Sequence, residues 1–295
     1  MDVTRKYKQK KSVYDREVSL KNANDSFSKI YPLISEQSNV LDVGCASGAL
    51  SETLYKNKNC RVYGMEANVE SVEKANAKKI FSALHLFDLN NLREDSFPEY
   101  KNFFDYIICA DVLEHLCNPL DVLKKLCGYL KDSGQIVISL PNVAHASIKA
   151  NLLLNDWTYT KIGILDETHL RFFTANSLPE FFQKAGLEIA SLSYTTLPLD
   201  GYQPHRLKEL PVALQQFIAK DAHSHIMQYI CSCRLAKQQG KKLLRHNFSF
   251  FDNCNVSRCR SSIEDRLKRL VLTRCPFLLE LLMLCRRLKS KGSFK

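Results

Sequence analysis

Asn39-Val40-Leu41-Asp42-Val43-Gly44-Cys45-Ala46-Ser47-Gly48-Ala49-Leu50-Ser51 is the stretch on which the reading of this chain turns. Val40 to Val43 is a short apolar run broken by one carboxylate, which suits a buried strand. Gly44 and Gly48 bracket a tight turn, and a helix starts near Ala49. A strand that ends in a glycine-bearing turn and feeds a helix brings backbone N–H groups close to a bound ligand. An ordinary strand-to-helix turn would look similar, and dinucleotide sites use a related one. Asp42 discriminates. It stands before the first glycine, at the carboxyl end of the strand. A carboxylate aimed into the turn suits a ligand with positive charge or hydrogen-bond donors and disfavours a pyrophosphate.

Outward from this stretch, strands and helices alternate. Strands are predicted at 39–43, 60–66, 83–87, 104–110 and 135–140, with helices at 48–57, 69–79 and from Pro119 to about 130. That order implies a parallel sheet with crossover helices on both faces. Ligands of such sheets bind at the carboxyl ends of the strands. Before it, Phe27, Ile30, Tyr31 and Ile34 share one face of a short helix expected to cover the sheet edge. After Pro141 the pattern loosens into a helix at 145–154, an aromatic and polar loop at 155–173, and a helix at 177–185 that stops at Gly186. A strand at 187–197, an insert at 198–222 with an amphipathic helix, and a last alternating strand at 225–235 complete it.

Three acids end three successive strands: Asp42, Glu66 and Asp88. A carboxylate at the end of the second strand can accept both hydroxyls of a ribose. Together with the turn, this set resembles motif I and its neighbours in the class I S-adenosylmethionine (SAM)-dependent methyltransferases. Ala46 departs from that family, standing where a middle glycine is usual. The resemblance implies a Rossmann-like, doubly wound, mostly parallel seven-stranded α/β sheet, its seventh strand antiparallel beside the sixth. It also implies a cofactor site. Asp42 lies near the amino acid part of SAM, and Gly44, Cys45, Ala46 and Gly48 form the turn. Glu66 holds ribose, Asp88 the adenine amino group with Leu89 against the ring, and Asp111 the floor.

Asp111-Val112-Leu113-Glu114-His115-Leu116, followed by Pro119, is similar to a segment of the quinone O-methyltransferases. Leu140-Pro141-Asn142 extends the likeness. Leu165-Asp166-Glu167-Thr168-His169-Leu170-Arg171-Phe172-Phe173-Thr174 resembles bacterial methyltransferases linked with cell-surface glycan assembly. These resemblances cover about residues 35–235. Asp111, Glu114, His115 and His169 form a candidate metal set: two carboxylates and two imidazoles suit a divalent ion that lowers the pKa of an acceptor hydroxyl. Hydrogen bonds that merely brace the loop are the competing reading. As a base for a hydroxyl acceptor the candidates are His115, His169 and His145, the last also placed to cap a helix. Trp157, Tyr159, Phe172 and Phe173 suit either an apolar acceptor pocket or the core.

Composition bounds the rest. The chain has 295 residues, 45% hydrophobic and 25% charged, the balance of a globular soluble protein. Residues 1–24 form a polar arm without the apolar core of a signal peptide, and no apolar run reaches the length of a spanning helix. Eleven cysteines scattered through apolar segments read as reduced, packed thiols in a cytoplasm. The spacings of Cys231-x-Cys233 and Cys254-x4-Cys259 match no common zinc knuckle. Residues 238–295 carry 14 Lys+Arg and 4 Asp+Glu, a net of +10 out of the chain's +11. The expected organisation is therefore an arm at 1–24, a catalytic domain at 25–237 and a basic helical extension at 238–295.

Within that extension, Phe277 to Cys285 is apolar apart from Glu280, and Arg286, Arg287, Lys289, Lys291 and Lys295 follow. Residues 270–295 suit an interfacial helix on an anionic membrane. Docking on the protein's own core and contact with nucleic acid are the alternatives. The expected activity is SAM-dependent methylation, on the oxygen of a small-molecule, quinone-like or lipid-linked glycan acceptor. An RNA methyltransferase and a catalytically silent scaffold of the same fold are the rivals. A nicotinamide dehydrogenase is disfavoured by Asp42 and by the absence of a three-glycine fingerprint. Oligomeric state is not legible.

Overall fold

The computed structural model describes residues 20–202 and 205–236. Most of the arm (1–19) and the basic extension at 238–295, including the segment 270–295, lie outside the described residues.

Seven strands form one sheet: β1 (Asn39–Val43), β2 (Arg61–Glu66), β3 (Phe81–Leu86), β4 (Phe104–Ala110), β5 (Leu130–Pro141), β6 (Leu187–Thr196) and β7 (Ile226–Leu235). Their order is β3-β2-β1-β4-β5-β7-β6. β1 to β5 pair in parallel, while β7 runs antiparallel to both β5 and β6. The apolar runs explain the centre, where Val40, Leu41, Val43, Ile107, Ile108, Ile136, Val137 and Ile138 are all buried. Polar exceptions in these strands are few, and two of them, Asp42 and Ser139, recur in the site below.

Local signals set the helices. α2 (Ala49–Lys58) begins at left-handed Gly48. α3 (Val69–Ala77) is capped by Asn68, whose Oδ1 accepts from the Ser71 N–H at 2.9 Å. α4 (Pro119–Cys127) has proline at its first position and Asn118 as cap. α5 (Ala146–Leu153), α6 (Leu178–Lys184) and α7 (Val212–Lys220) follow. Among the described residues no helix is long and apolar enough to cross a membrane.

Two expectations change. The segment with helix α1 (Ser26–Ile30) meets the edge strand β6, where Asn24 Nδ2 donates to the Thr196 carbonyl at 2.8 Å, but it extends well past that edge. Ile30 and Ile34 belong to a cluster with Val40 of β1, Ile108 of β4, Val137 of β5 and Ile230 of β7, so this segment covers a face over the middle of the sheet. The alternation read in the last strand is no guide to its burial. β7 lies between two partners, and Tyr229 through Cys233 are buried without a break. Cys231 and Cys233 are free thiols inside it.

Candidate active site

The turn after β1 holds three residues in the left-handed region: Gly44 at φ 67°, Ala46 at 47° and Gly48 at 76°. Gly44 also needs its missing side chain, because a Cβ there would meet Val112 Cγ2 at 2.6 Å. The Gly44 and Cys45 N–H groups donate to the Met65 carbonyl at 2.7 and 3.3 Å, which ties the turn to the end of β2. Glu66 follows directly. Its Oε2 accepts from the Ala46 N–H at 2.9 Å and its Oε1 from the Asn68 N–H at 2.8 Å. The carboxylate is thus pinned between the turn and the start of α3. Each oxygen has a second lone pair left for a ligand hydroxyl.

Asp42 lies in β1. It is buried, and its Oδ2 accepts from Ser51 Oγ at 2.7 Å. It ties β1 to α2. Desolvation pushes its carboxyl up to about 7; the Ser51 hydrogen bond opposes this and the Glu66 charge adds to it. Asp88 caps the short turn Leu89–Asn91, its Oδ1 accepting from the Asn90 N–H and Nδ2 at 2.9 and 3.0 Å, with Leu89 buried beside it. Asn90 Oδ1 in turn accepts from the Cys117 N–H at 2.9 Å, joining this turn to the loop after β4.

That loop carries the second half of the site. Asp111 is left-handed at φ 57°. Its N–H donates to Ser139 Oγ at 3.0 Å, and its Oδ1 accepts from Ser139 Oγ at 2.7 Å and Gln228 Nε2 at 2.8 Å. Asp111 is therefore anchored to β5 and β7. Glu114 and His115 lie in the turn Leu113–His115, and the Glu114 carbonyl accepts from the Leu170 and Arg171 N–H groups at 2.7 and 3.0 Å. Two strings more than fifty residues apart are spliced there. One ligand atom each from Glu114, His115 and His169 lie within 4.8 Å of one another. Asp111 does not join them, a correction to the four-residue set. Its Oδ1 is taken up by Ser139 and Gln228 instead, while its charge still acts on Glu114 and on both imidazoles.

The chemistry of the three is one-sided. Glu114 is buried, and its Oε2 has no hydrogen-bond partner among the described residues. Desolvation, with the charges of Asp111 and Asp166, drives this carboxyl toward its neutral form. His169 Nδ1 lies 3.0 Å from the Ile164 carbonyl, which only accepts, so Nδ1 carries the proton and Nε2 the lone pair. Thr168 Oγ1 donates to Asp166 at 2.7 Å, so His115 Nδ1, 3.0 Å away, donates to Thr168 Oγ1. Burial lowers both imidazoles, His115 to about 4, helped there by the neighbouring His169. His115 is consequently a weak base. Moving a proton to it from a phenol-like hydroxyl of pKa about 10 is uphill by on the order of 8 kcal/mol. Two neutral imidazoles and a carboxyl with an unpartnered oxygen are groups that could hold a cation, whose binding would release the carboxyl proton.

The remaining candidates separate. His145 is buried and caps α5, its Nδ1 accepting from the Ser147 N–H at 3.2 Å. Phe173 is buried, whereas Trp157 and Tyr159 are exposed and Phe172 is half-buried. Sequence reasoning passed over Ser139, Gln228, Asp166 and Thr168. The signal for Ser139 was present, a lone hydroxyl in the run Ile136 to Leu140. Asn142 was noted without a role. It is fully buried, and its Nδ2 donates to the His223 and Ile226 carbonyls at 2.9 Å, clamping the end of β5 to the approach to β7.

A family model described as a methyltransferase domain matches residues 14–192. The chain belongs to this family, the class I SAM-dependent methyltransferases. It is similar to the ubiquinone biosynthesis O-methyltransferase of Shewanella sp. (strain ANA-3), 25% identical over 163 residues, 55% of this chain and 69% of that one. The enzyme of the same description from Vibrio campbellii is 31% identical over 103 residues, 35% of this chain and 43% of that one. Among solved structures, a SAM-dependent methyltransferase from Archaeoglobus fulgidus superposes with a TM-score of 0.53 at 18% identity, over 73% of this chain and 94% of the other. One from Mesorhizobium loti does so with a TM-score of 0.50 at 13% identity, over 73% and 100%. At those identities the likeness speaks for the fold. The methyltransferase is thus an enzyme whose sheet, turn and family agree.

Proposed function

We propose that this methyltransferase transfers the SAM methyl group to a hydroxyl of a quinone-like acceptor, assisted by a divalent ion at Glu114, His115 and His169. The observation that carries the reading is the buried, unpartnered Glu114 Oε2 beside the two histidines at the carboxyl end of β4. The relatives described as ubiquinone biosynthesis O-methyltransferases support oxygen as the methylated atom. The turn 44–48 and the pinned Glu66 fit SAM, with Glu66 on the ribose hydroxyls, Asp88 on adenine and Leu89 against its ring. SAM supplies a methyl group activated by the sulfonium. The protein's part is to hold the acceptor oxygen in line with it and to exclude water.

Two imidazoles and one carboxylate suit a borderline divalent ion, whose charge would stabilise the acceptor's oxyanion where His115 alone cannot take the proton. Titration of the purified protein with Mn2+ or Zn2+ by calorimetry tests this. One equivalent should bind, Glu114→Ala should weaken it at least tenfold, and exhaustive chelation should abolish methylation of a catechol. Full activity after chelation would remove the metal and leave only a bracing role for the three side chains. A membrane-facing role for 270–295 rests on the segregation of charge into 238–295. It predicts salt-sensitive binding to phosphatidylglycerol vesicles that is lost on deleting 270–295, with SAM binding intact. Full-length protein that ignores such vesicles at low salt would reject it.

A further inference from the structure

His169 takes its orientation from one peptide group, and that peptide is held by a residue farther along the chain. The Asp166 N–H donates to the Gly163 carbonyl at 3.2 Å and closes a turn over residues 163–166. The peptide between Ile164 and Leu165 is the middle one of that turn. Its carbonyl and its N–H point to opposite sides, and the turn's own hydrogen bond uses neither. Ile164 and Leu165 are buried, so both groups need partners inside the protein. The Ile164 carbonyl accepts from His169 Nδ1 at 3.0 Å. The Leu165 N–H donates to the Tyr202 hydroxyl at 2.8 Å. That hydroxyl lies 2.7 Å from Thr160 Oγ1, which fixes it in turn. The Tyr202 ring is buried and rests on Gly163, where a Cβ would meet Tyr202 Cε2 at 2.7 Å. Tyr202 stands in the stretch between β6 and α7, well outside the strings that carry Glu114, His115 and His169.

We propose that Tyr202 is a positioning residue for His169. Through the 164–165 peptide its hydroxyl sets the direction of the Ile164 carbonyl. That carbonyl keeps the His169 proton on Nδ1 and leaves Nε2 as the ring's ligand atom for the group with Glu114 and His115. The coupling is geometric. A peptide is planar, so its N–H and its carbonyl turn as one body. In Tyr202→Phe the buried Leu165 N–H loses its acceptor, and a rotation that finds it another carries the Ile164 carbonyl off His169. The phenyl ring stays, so the packing on Gly163 is kept. The use of Nε2 as a ligand rests on the divalent-ion reading above; the fixing of the ring by Tyr202 does not.

Nuclear magnetic resonance of the full-length protein, isotopically labelled at the histidine ring nitrogens, tests this. His169→Gln identifies the His169 signals. In the wild type the proton should sit on Nδ1 and exchange slowly with water. Tyr202→Phe should speed that exchange about tenfold, the scale of one buried hydrogen bond. It should also weaken Zn2+ binding in calorimetry about tenfold, as loss of a partner that orients a metal-binding histidine does. Tyr229→Phe removes another buried tyrosine hydroxyl, the one 2.9 Å from His223 Nδ1, and should leave both readings as in the wild type. A wild-type His169 with its proton on Nε2 overturns the proposal, whether or not the variants fold. So does a Tyr202→Phe protein that loses thermal stability while its His169 signals stay in place, the mark of a tyrosine that only braces the loop. Zn2+ bound equally by the wild type and Tyr202→Phe, or a Tyr229→Phe protein that moves His169 as much, overturns it too. If His169 responds to Tyr202→Phe but the wild type binds no Zn2+, the ion at this site is rejected and the positioning role of Tyr202 stands.

Discussion

Asp42 is a carboxyl group inside an apolar strand, held by one hydroxyl, with a pKa pushed up to about 7. Folding favours its neutral form. Its contribution to stability is therefore whole below the ordinary value of 3.8 and is lost as pH rises to about 7. A shift of about three units corresponds to roughly 4 kcal/mol. Asp42→Asn keeps an acceptor for Ser51 and cannot ionise. In urea unfolding it should gain on the wild type by a few kcal/mol, on the order of 3–4, between pH 4 and pH 7.5. Identical pH slopes for the two proteins would refute this placement of the charge. Glu66 is bonded at the same scale to two backbone N–H groups, those of Ala46 and Asn68, and is proposed to meet the ribose hydroxyls. Glu66→Ala should weaken SAM binding by roughly 1–3 kcal/mol in calorimetry. Unchanged affinity in both Glu66→Ala and Asp88→Ala would exclude the proposed geometry.

At the scale of the element, the turn from β1 into α2 shows both how much was legible and where reading stopped. Alternating runs and caps sufficed to place the strands and helices within a few residues, because burial on both faces of a parallel sheet leaves an unmistakable apolar run. The departure at Ala46 was visible too, and the structure gives it a physical meaning: an alanine at φ 47°. A left-handed alanine costs about 1–2 kcal/mol, partly offset by the chain entropy a glycine would lose. Ala46→Gly should raise stability by about 0.5–1 kcal/mol, read as a small rise in Tm with SAM absent. A drop would mean that the methyl group packs usefully. What sequence could not yield was direction. The residue types of Asp111, Glu114, His115 and His169 all suit one metal set. Only the structure shows that the Asp111 Oδ1 is taken up by Ser139 and Gln228, partners from two other strands. The burial of β7 was equally out of reach, since alternation describes a strand with one wet face and β7 has none.

At the scale of the whole molecule, protection follows strand order. β4, β5 and β7 have neighbours on both sides and long buried runs, whereas β3 is an edge strand whose residues are half-buried or exposed. Hydrogen exchange should be slowest in Ile107–Cys109, Ile136–Ile138 and Tyr229–Cys233, and faster by orders of magnitude in Phe81–Leu86. Equal protection of β3 and β7 would contradict this hierarchy. The position of β7 also sets an order in time. A ribosome makes the chain from β1 onward, and β7 is the last of the described strands to emerge, yet it must slide between β5 and β6. Until residue 228 has been made, Asp111 lacks Gln228, and β6 has no strand to join it to the sheet. The anchoring of Asp111 is thus completed by the last strand among the described residues. A nascent chain that stalls or is cut before β7 retains the turn proposed to hold the cofactor but lacks the Gln228 bond that anchors Asp111. On the proposed cofactor geometry such a fragment would still take up SAM, but with Asp111 unanchored from β7.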